Sequence, residues 1–176
     1  MLEAAVAVIL WLFFKQYPVV WLVCGALFVP GLYAMITGAP FVPTSGRTMR
    51  TMLGLAAIQP GEHVYDLGCG DGRLLLRAAG KGAKAVGYEL SVPTYALARL
   101  RCVFRRNIRV RFADFWSQSY GDADVIFCYL LTDSMRHFET RIWPGLPAGC
   151  RVVSHAFSMK NVPYAQKKDG VLLYVK

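Results

Sequence analysis

The sequence predicts a doubly wound α/β fold with a mostly parallel sheet, and three observations carry that prediction. From residue 63 onward, short apolar runs of strand length alternate with segments of helical periodicity, an order that pairs strands in parallel with helices on both faces. A glycine-rich turn, GCGDG over 68–72, joins the first strand to the helix after it. Acids fall at the ends of three successive strands: Asp66, Glu89 and Asp114.

Each element follows in order. GRTMRTMLGLAAI, 46–58, sets Met49, Met52, Leu53 and Ala56 three and four residues apart and reads as an amphipathic helix. QPGE, 59–62, is a turn. A strand over 63–68, a helix over 72–80 and a strand over 83–90 follow. The next helix, 93–106, carries Pro93 in its first turn, where a missing N–H costs nothing. IRVRFAD, 108–114, alternates as a strand does. ADVIFCYLL, 123–131, is a buried strand, and the helix over 133–143 starts at Asp133, placed as its N-cap. A fifth strand over 150–157 and a closing hairpin ending in GVLLYVK bring the sheet to seven strands.

The front of the chain is different. Residues 1–45 hold one acid, Glu3, and one base, Lys15, so the whole formal charge of +9 lies on 46–176. Val19 to Ile36 runs without a charge, and as a helix it would be about 27 Å long against a hydrocarbon core of about 30 Å. Trp21 and Tyr33 sit near its ends, where amphipathic rings favour the interface. The expectation is an N-terminal transmembrane helical segment. Residues 4–14 are apolar but short for a crossing, which leaves a hairpin or one long kinked helix open; the alternative for the whole front is a buried helical hairpin in a soluble protein. A signal peptide is disfavoured by Glu3 and by the lack of a small-residue cleavage site. Arg47 and Arg50 after the segment, with the cationic body, predict that residues 46–176 lie in the cytoplasm. The expected layout is an anchor over 1–37, a linker or strap over 38–45 and one domain over 46–176.

Metal chemistry finds no support. The cysteines at 24, 69, 102, 128 and 150 include no C-x-x-C pair, and His63, His137 and His155 are isolated. Buried, reduced thiols are expected.

The turn itself identifies a ligand class. A dinucleotide fingerprint needs its third glycine at 73, where this chain has Arg73, and no Gly-Lys-Ser/Thr closes a phosphate loop. Asp66 at the head of the turn would repel a pyrophosphate and attract an ammonium. S-adenosyl-L-methionine carries an ammonium and a sulfonium and no phosphate. Glu89 is placed to accept from the ribose hydroxyls, and Asp114 from the adenine amino group.

DLGCGDGR, VGYEL and ADFW resemble the class I S-adenosylmethionine-dependent methyltransferases, which implies a Rossmann-like sheet. GAPFVPTS, 38–45, lying between an apolar segment and the first helix, adds a narrower likeness. It resembles the membrane-anchored protein-lysine methyltransferases of the ATP synthase c subunit and adenine nucleotide translocase type, with their prokaryotic relatives. The resemblance implies Asp66, Gly68 and Gly70 at the methionine moiety, Glu89 at the ribose and Asp114 at the adenine. It places Pro43 and Thr44 in a strap over the cofactor; a stiff linker is the alternative.

The fourth strand ends in CYLLT, without the Asn/Asp-Pro-Pro-aromatic motif of many amino-methylating relatives, which speaks against adenine or glutamine as acceptor. Tyr129 stands where it would line the methyl-transfer site. Asp133, Ser154 and His155 lie near that edge and receive no catalytic role. The run from Arg99 to Arg111, with Arg101, Arg105, Arg106 and Arg109 between, allows a solvated face, contact with anionic lipid or an RNA-binding patch. The function expected is N-methylation of a lysine on a protein substrate, a membrane protein foremost. The alternatives are a small-molecule or lipid methyltransferase, an RNA methyltransferase, and a cofactor-binding protein without catalysis.

Overall fold

The computed structural model describes residues 15–37 and 44–176, with Val6 and Trp11 as isolated positions ahead of them. The rest of the 4–14 segment, and GAPFVP of the expected strap, lie outside the described residues.

Helix α1, Pro18–Thr37, precedes the body. The body then runs α2 (Gly46–Ala56), β1 (His63–Leu67), α3 (Arg73–Ala79), β2 (Lys84–Glu89), α4 (Val92–Cys102) and β3 (Ile108–Phe112). It continues with β4 (Val125–Cys128), α5 (Thr132–Arg141), β5 (Arg151–His155), β6 (Gln166–Lys168) and β7 (Val171–Val175). The strands form one seven-stranded sheet in the order β3-β2-β1-β4-β5-β7-β6. β1 to β5 are parallel, and the closing hairpin adds β7 antiparallel to β5.

Strand alternation sorts the core into two layers. Val64, Ala85, Ile108, Val125 and Val153 face the layer filled by α2, α3 and α4. Leu67, Tyr88, Ile126 and Val152 face the layer of Met135 and Phe138 from α5. The connection from β3 to β4 carries only a 3₁₀ turn, Phe115–Ser117, where parallel strands usually have a crossover helix. The second face of β2 and β3 therefore lacks a covering helix.

Ser45 caps α2 by accepting from the Thr48 amide at 3.1 Å, and Ala57 ends that helix in the left-handed region. Two boundaries differ from expectation. Asp133 is not the N-cap of α5: Leu131 holds that place, and Asp133 pairs along the first turn with Arg136 at 3.1 Å. β5 stops at His155 because Ala156 adopts a positive φ of 68°.

The expected membrane anchor is corrected. Among the described residues no helix is long and apolar enough to cross a membrane. The transmembrane segment in 1–37 and the cytoplasmic orientation read from its flank fall with it. Helix α1 runs unbroken from Pro18 to Thr37 and lies against α4 of the body, with Trp21, Cys24 and Gly25 half-buried.

Candidate functional site

The glycine turn is shaped by backbone. Gly68, Gly70 and Gly72 have φ of 77°, 54° and 76°, values a side chain would strain. The amides of Gly68 and Cys69 both donate to the Tyr88 carbonyl, at 3.1 and 2.9 Å, which ties the turn to the end of β2. Opposite the turn, a Cβ on Gly87 would sit 2.5 Å from Leu75 Cδ1 and 2.7 Å from Cys69 Sγ. Only a glycine in β2 lets the turn settle this close to the sheet.

The two acids that end β1 and β2 are held in opposite ways. Glu89 is buried and receives three backbone amides: Gly70 at 2.9 Å on Oε2, Leu90 at 2.9 Å and Ser91 at 2.7 Å on Oε1. Its carboxylate is locked, with lone pairs left for incoming hydroxyls. Asp66 is also buried, yet no donor reaches its carboxylate among the described residues. Burial first, then the charges of Glu89 and Asp71, push its pKa up to about 7. A buried carboxylate beside a second one, without a cation of its own, is a site for a cationic ligand.

Asp71 does not share that role. Arg73 Nε donates to it at 2.9 Å, and Arg101 reaches it from α4. The Arg73 guanidinium, with Arg101 beside it, holds the Asp71 carboxyl below its ordinary range. This clasp fixes the turn against α4. It also draws Arg101 away from the outward arginine face to which the sequence assigned it.

Asp114 ends the third strand region half-buried and caps the 3₁₀ turn, accepting from the Trp116 amide at 2.9 Å on Oδ1. Thr44 is half-buried ahead of the Ser45 cap; Pro43 lies outside the described residues. The structure thus brings Asp66, Gly68, Gly70 and Glu89 into one cluster and sets Asp114 just past β3, whose Phe112 pairs with Glu89.

Tyr129 follows Cys128, which pairs with Leu67 on one side and Ser154 on the other. Gly68, Tyr129 and His155 therefore form a row across the carboxyl ends of β1, β4 and β5, about 5 Å from strand to strand. The Tyr129 ring lies 4.5 Å from that of His155 and 6.3 Å from Phe157. A tight turn brings the last ring in: the Phe157 amide donates to the His155 carbonyl at 2.9 Å across Ala156, a γ-turn. The Ser154 hydroxyl braces it by donating to the Phe157 carbonyl at 2.7 Å. His155 Nδ1 is buried with no partner among the described residues, and burial lowers the pKa of the ring. Sequence reasoning placed Ser154 and His155 near this edge without a role, and it missed Phe157 and the Asp71 clasp. Among the described residues no cluster of metal-ligating side chains exists, and Cys69, Cys102, Cys128 and Cys150 are free and buried.

Comparison with known proteins gives this geometry a family. Residues 66–166 match the ANTKMT methyltransferase domain. The chain is 33% identical over 128 residues to a protein-lysine N-methyltransferase of Saccharolobus islandicus, covering 69% of this chain and 79% of that one. It is 35% identical over 124 residues to adenine nucleotide translocase lysine N-methyltransferase of Mus musculus, covering 68% of this chain but only 54% of the mouse protein. Among solved structures, an RNA methyltransferase from Salinibacter ruber in complex with S-adenosyl-L-homocysteine matches with a TM-score of 0.69 at 30% identity, over 76% of this chain and 91% of that one.

Proposed function

Because the chain belongs to the ANTKMT methyltransferase domain family and is an S-adenosylmethionine-dependent methyltransferase, we propose that it methylates the side-chain amine of a lysine in a protein. The observation that carries the acceptor is the aromatic end of the row, Tyr129 with His155 and Phe157, next to the glycine turn. Aromatic faces admit an ammonium. A dry pocket then favours loss of its proton, since desolvation penalises the charged form. Burial keeps His155 neutral, so it does not repel the incoming cation.

The donor supplies a methyl group already activated on a sulfonium. In the proposed arrangement Asp66 takes the ammonium of its methionine part, and Gly68 and Gly70 bring backbone close to it. Glu89, locked by its three amides, accepts from the ribose hydroxyls. Asp114 spends Oδ1 on its cap and keeps Oδ2 for the adenine amino group. Thr44 closes over the donor. Tyr129 lines the path of transfer and holds the acceptor nitrogen in line, an alignment that supplies much of the acceleration.

The proposed acceptor is a membrane protein, a reading supported by the mouse relative, whose name makes an adenine nucleotide translocase its substrate. RNA is the second reading, favoured by the Salinibacter ruber match. Donor labelled in its methyl group, incubated with the full chain and a cell extract, tests both. The expected result is label in a protein band that yields methyl-lysine on hydrolysis. Label confined to RNA or to the lipid extract would overturn the lysine reading.

A further inference from the structure

Six arginines lie between Arg99 and Arg111, and among the described residues only Arg101 meets an acid. The unpaired ones gather around β3, the edge strand of the sheet. Along it Ile108 and Val110 turn into the helix-covered core, while Arg109 and Arg111 are exposed on the other face, in register with Val86 and Tyr88 of β2. That is the face without a crossover helix. A groove of about 650 Å³ opens there, with Tyr65 and Val86 in its floor and Lys84, Arg106, Arg109 and Arg111 along it. The one carboxylate lining it, Asp122, is engaged at the far end by the Tyr65 hydroxyl at 2.7 Å and by His63 at 3.2 Å. On the outer side of the strand a second groove of about 350 Å³ is lined by Arg99, Arg105 and again Arg109 and Arg111.

We propose that the edge of β3 docks an extended acidic segment of a protein partner, which pairs with the strand backbone and sets its carboxylates against Arg109, Arg111 and their neighbours. An edge strand presents unpaired N–H and C=O groups as a template for one more strand. The cationic groove on the face of Arg109 and Arg111 complements acids at alternate positions of the added strand, since alternate side chains share one face. Tyr65, in the lining of the groove, is only 8% exposed and offers no platform there for stacking the bases of a single strand, and the exposed rings nearby, Phe104 and Phe112, line neither groove. A concave groove is also a poor match to a flat lipid surface. Edge charges can serve merely to prevent self-pairing, and that role predicts no peptide binding at all.

Fluorescence anisotropy of the full chain with a short labelled peptide alternating glutamate and valine decides the matter. The expected result is saturable binding that weakens as salt is raised about tenfold. It should fall at least about tenfold in the double variant Arg109→Glu/Arg111→Glu, as for a lost charge-assisted pair. It should also fall with a peptide N-methylated at alternate amides, which cannot pair with the edge. S-adenosyl-L-homocysteine affinity should stay unchanged in that variant, a readout that shows it folded. Absence of peptide binding, equal binding by the double variant, or preferential binding of a single-stranded oligonucleotide or phosphatidylglycerol vesicles in place of the peptide would overturn the proposal.

Discussion

On one face of the sheet α2, α3 and α4 bury Val64, Ala85, Ile108 and Val125; on the other, α5 covers β4 and β5 and leaves the groove along β2 and β3 to Lys84, Arg109 and Arg111. The covered face holds the glycine turn from beneath: Leu75 and Cys69 pack on Gly87, and Arg101 of α4 clasps Asp71. Among the described residues, none of those proposed to meet the donor lines the groove of the open face. Close packing thus lies beneath the turn proposed to hold the donor, and the groove of the other surface has no covering helix.

Substitutions on the two faces break this contrast in graded ways. Leu75→Ala removes a fully buried side chain beneath the turn and should cost about 2–5 kcal/mol in urea unfolding. Glu89→Ala frees three amides and should weaken S-adenosyl-L-methionine binding about a hundredfold or more by calorimetry; unchanged affinity would remove Glu89 from the site. Gly87→Ala forces the turn off the sheet and should cost about 1–3 kcal/mol, with weaker donor binding accompanying it. Arg111→Ala on the open face should change stability by no more than about 0.5 kcal/mol. A large loss there would mean that the face is structural.

What the sequence made legible follows the same division. The strand-helix alternation, the glycines of the turn and the acids at strand ends are local signals, because each residue's own geometry or charge demands them. The Asp71 clasp joins residues thirty positions apart, and no spacing announces such a pairing. Phe157 reaches Tyr129 only because Ala156 takes a positive φ, a conformation alanine does not signal. Asp133 looked like a cap because acids favour that place, but Leu131 begins the helix. The apolar front reads as a membrane span by its length, its lack of charge and the rings near its ends, whereas among the described residues no helix is long and apolar enough to cross, and α1 lies against α4.

Asp66 tests the account most directly. Its pKa of about 7, against 3.8 for an ordinary aspartate, means that the folded chain keeps a proton that the unfolded chain has released between those values. Stability without donor should therefore fall as pH rises from about 4 to about 7. A bound ammonium favours the ionised carboxylate, so donor binding must release that proton. Calorimetric titration of S-adenosyl-L-methionine from about pH 5.5 to about pH 7 should show affinity rising with pH in the native chain and flat, weaker binding in Asp66→Asn. Equal affinity in the two proteins across that range would contradict the assignment of Asp66 as the group that meets the donor's ammonium.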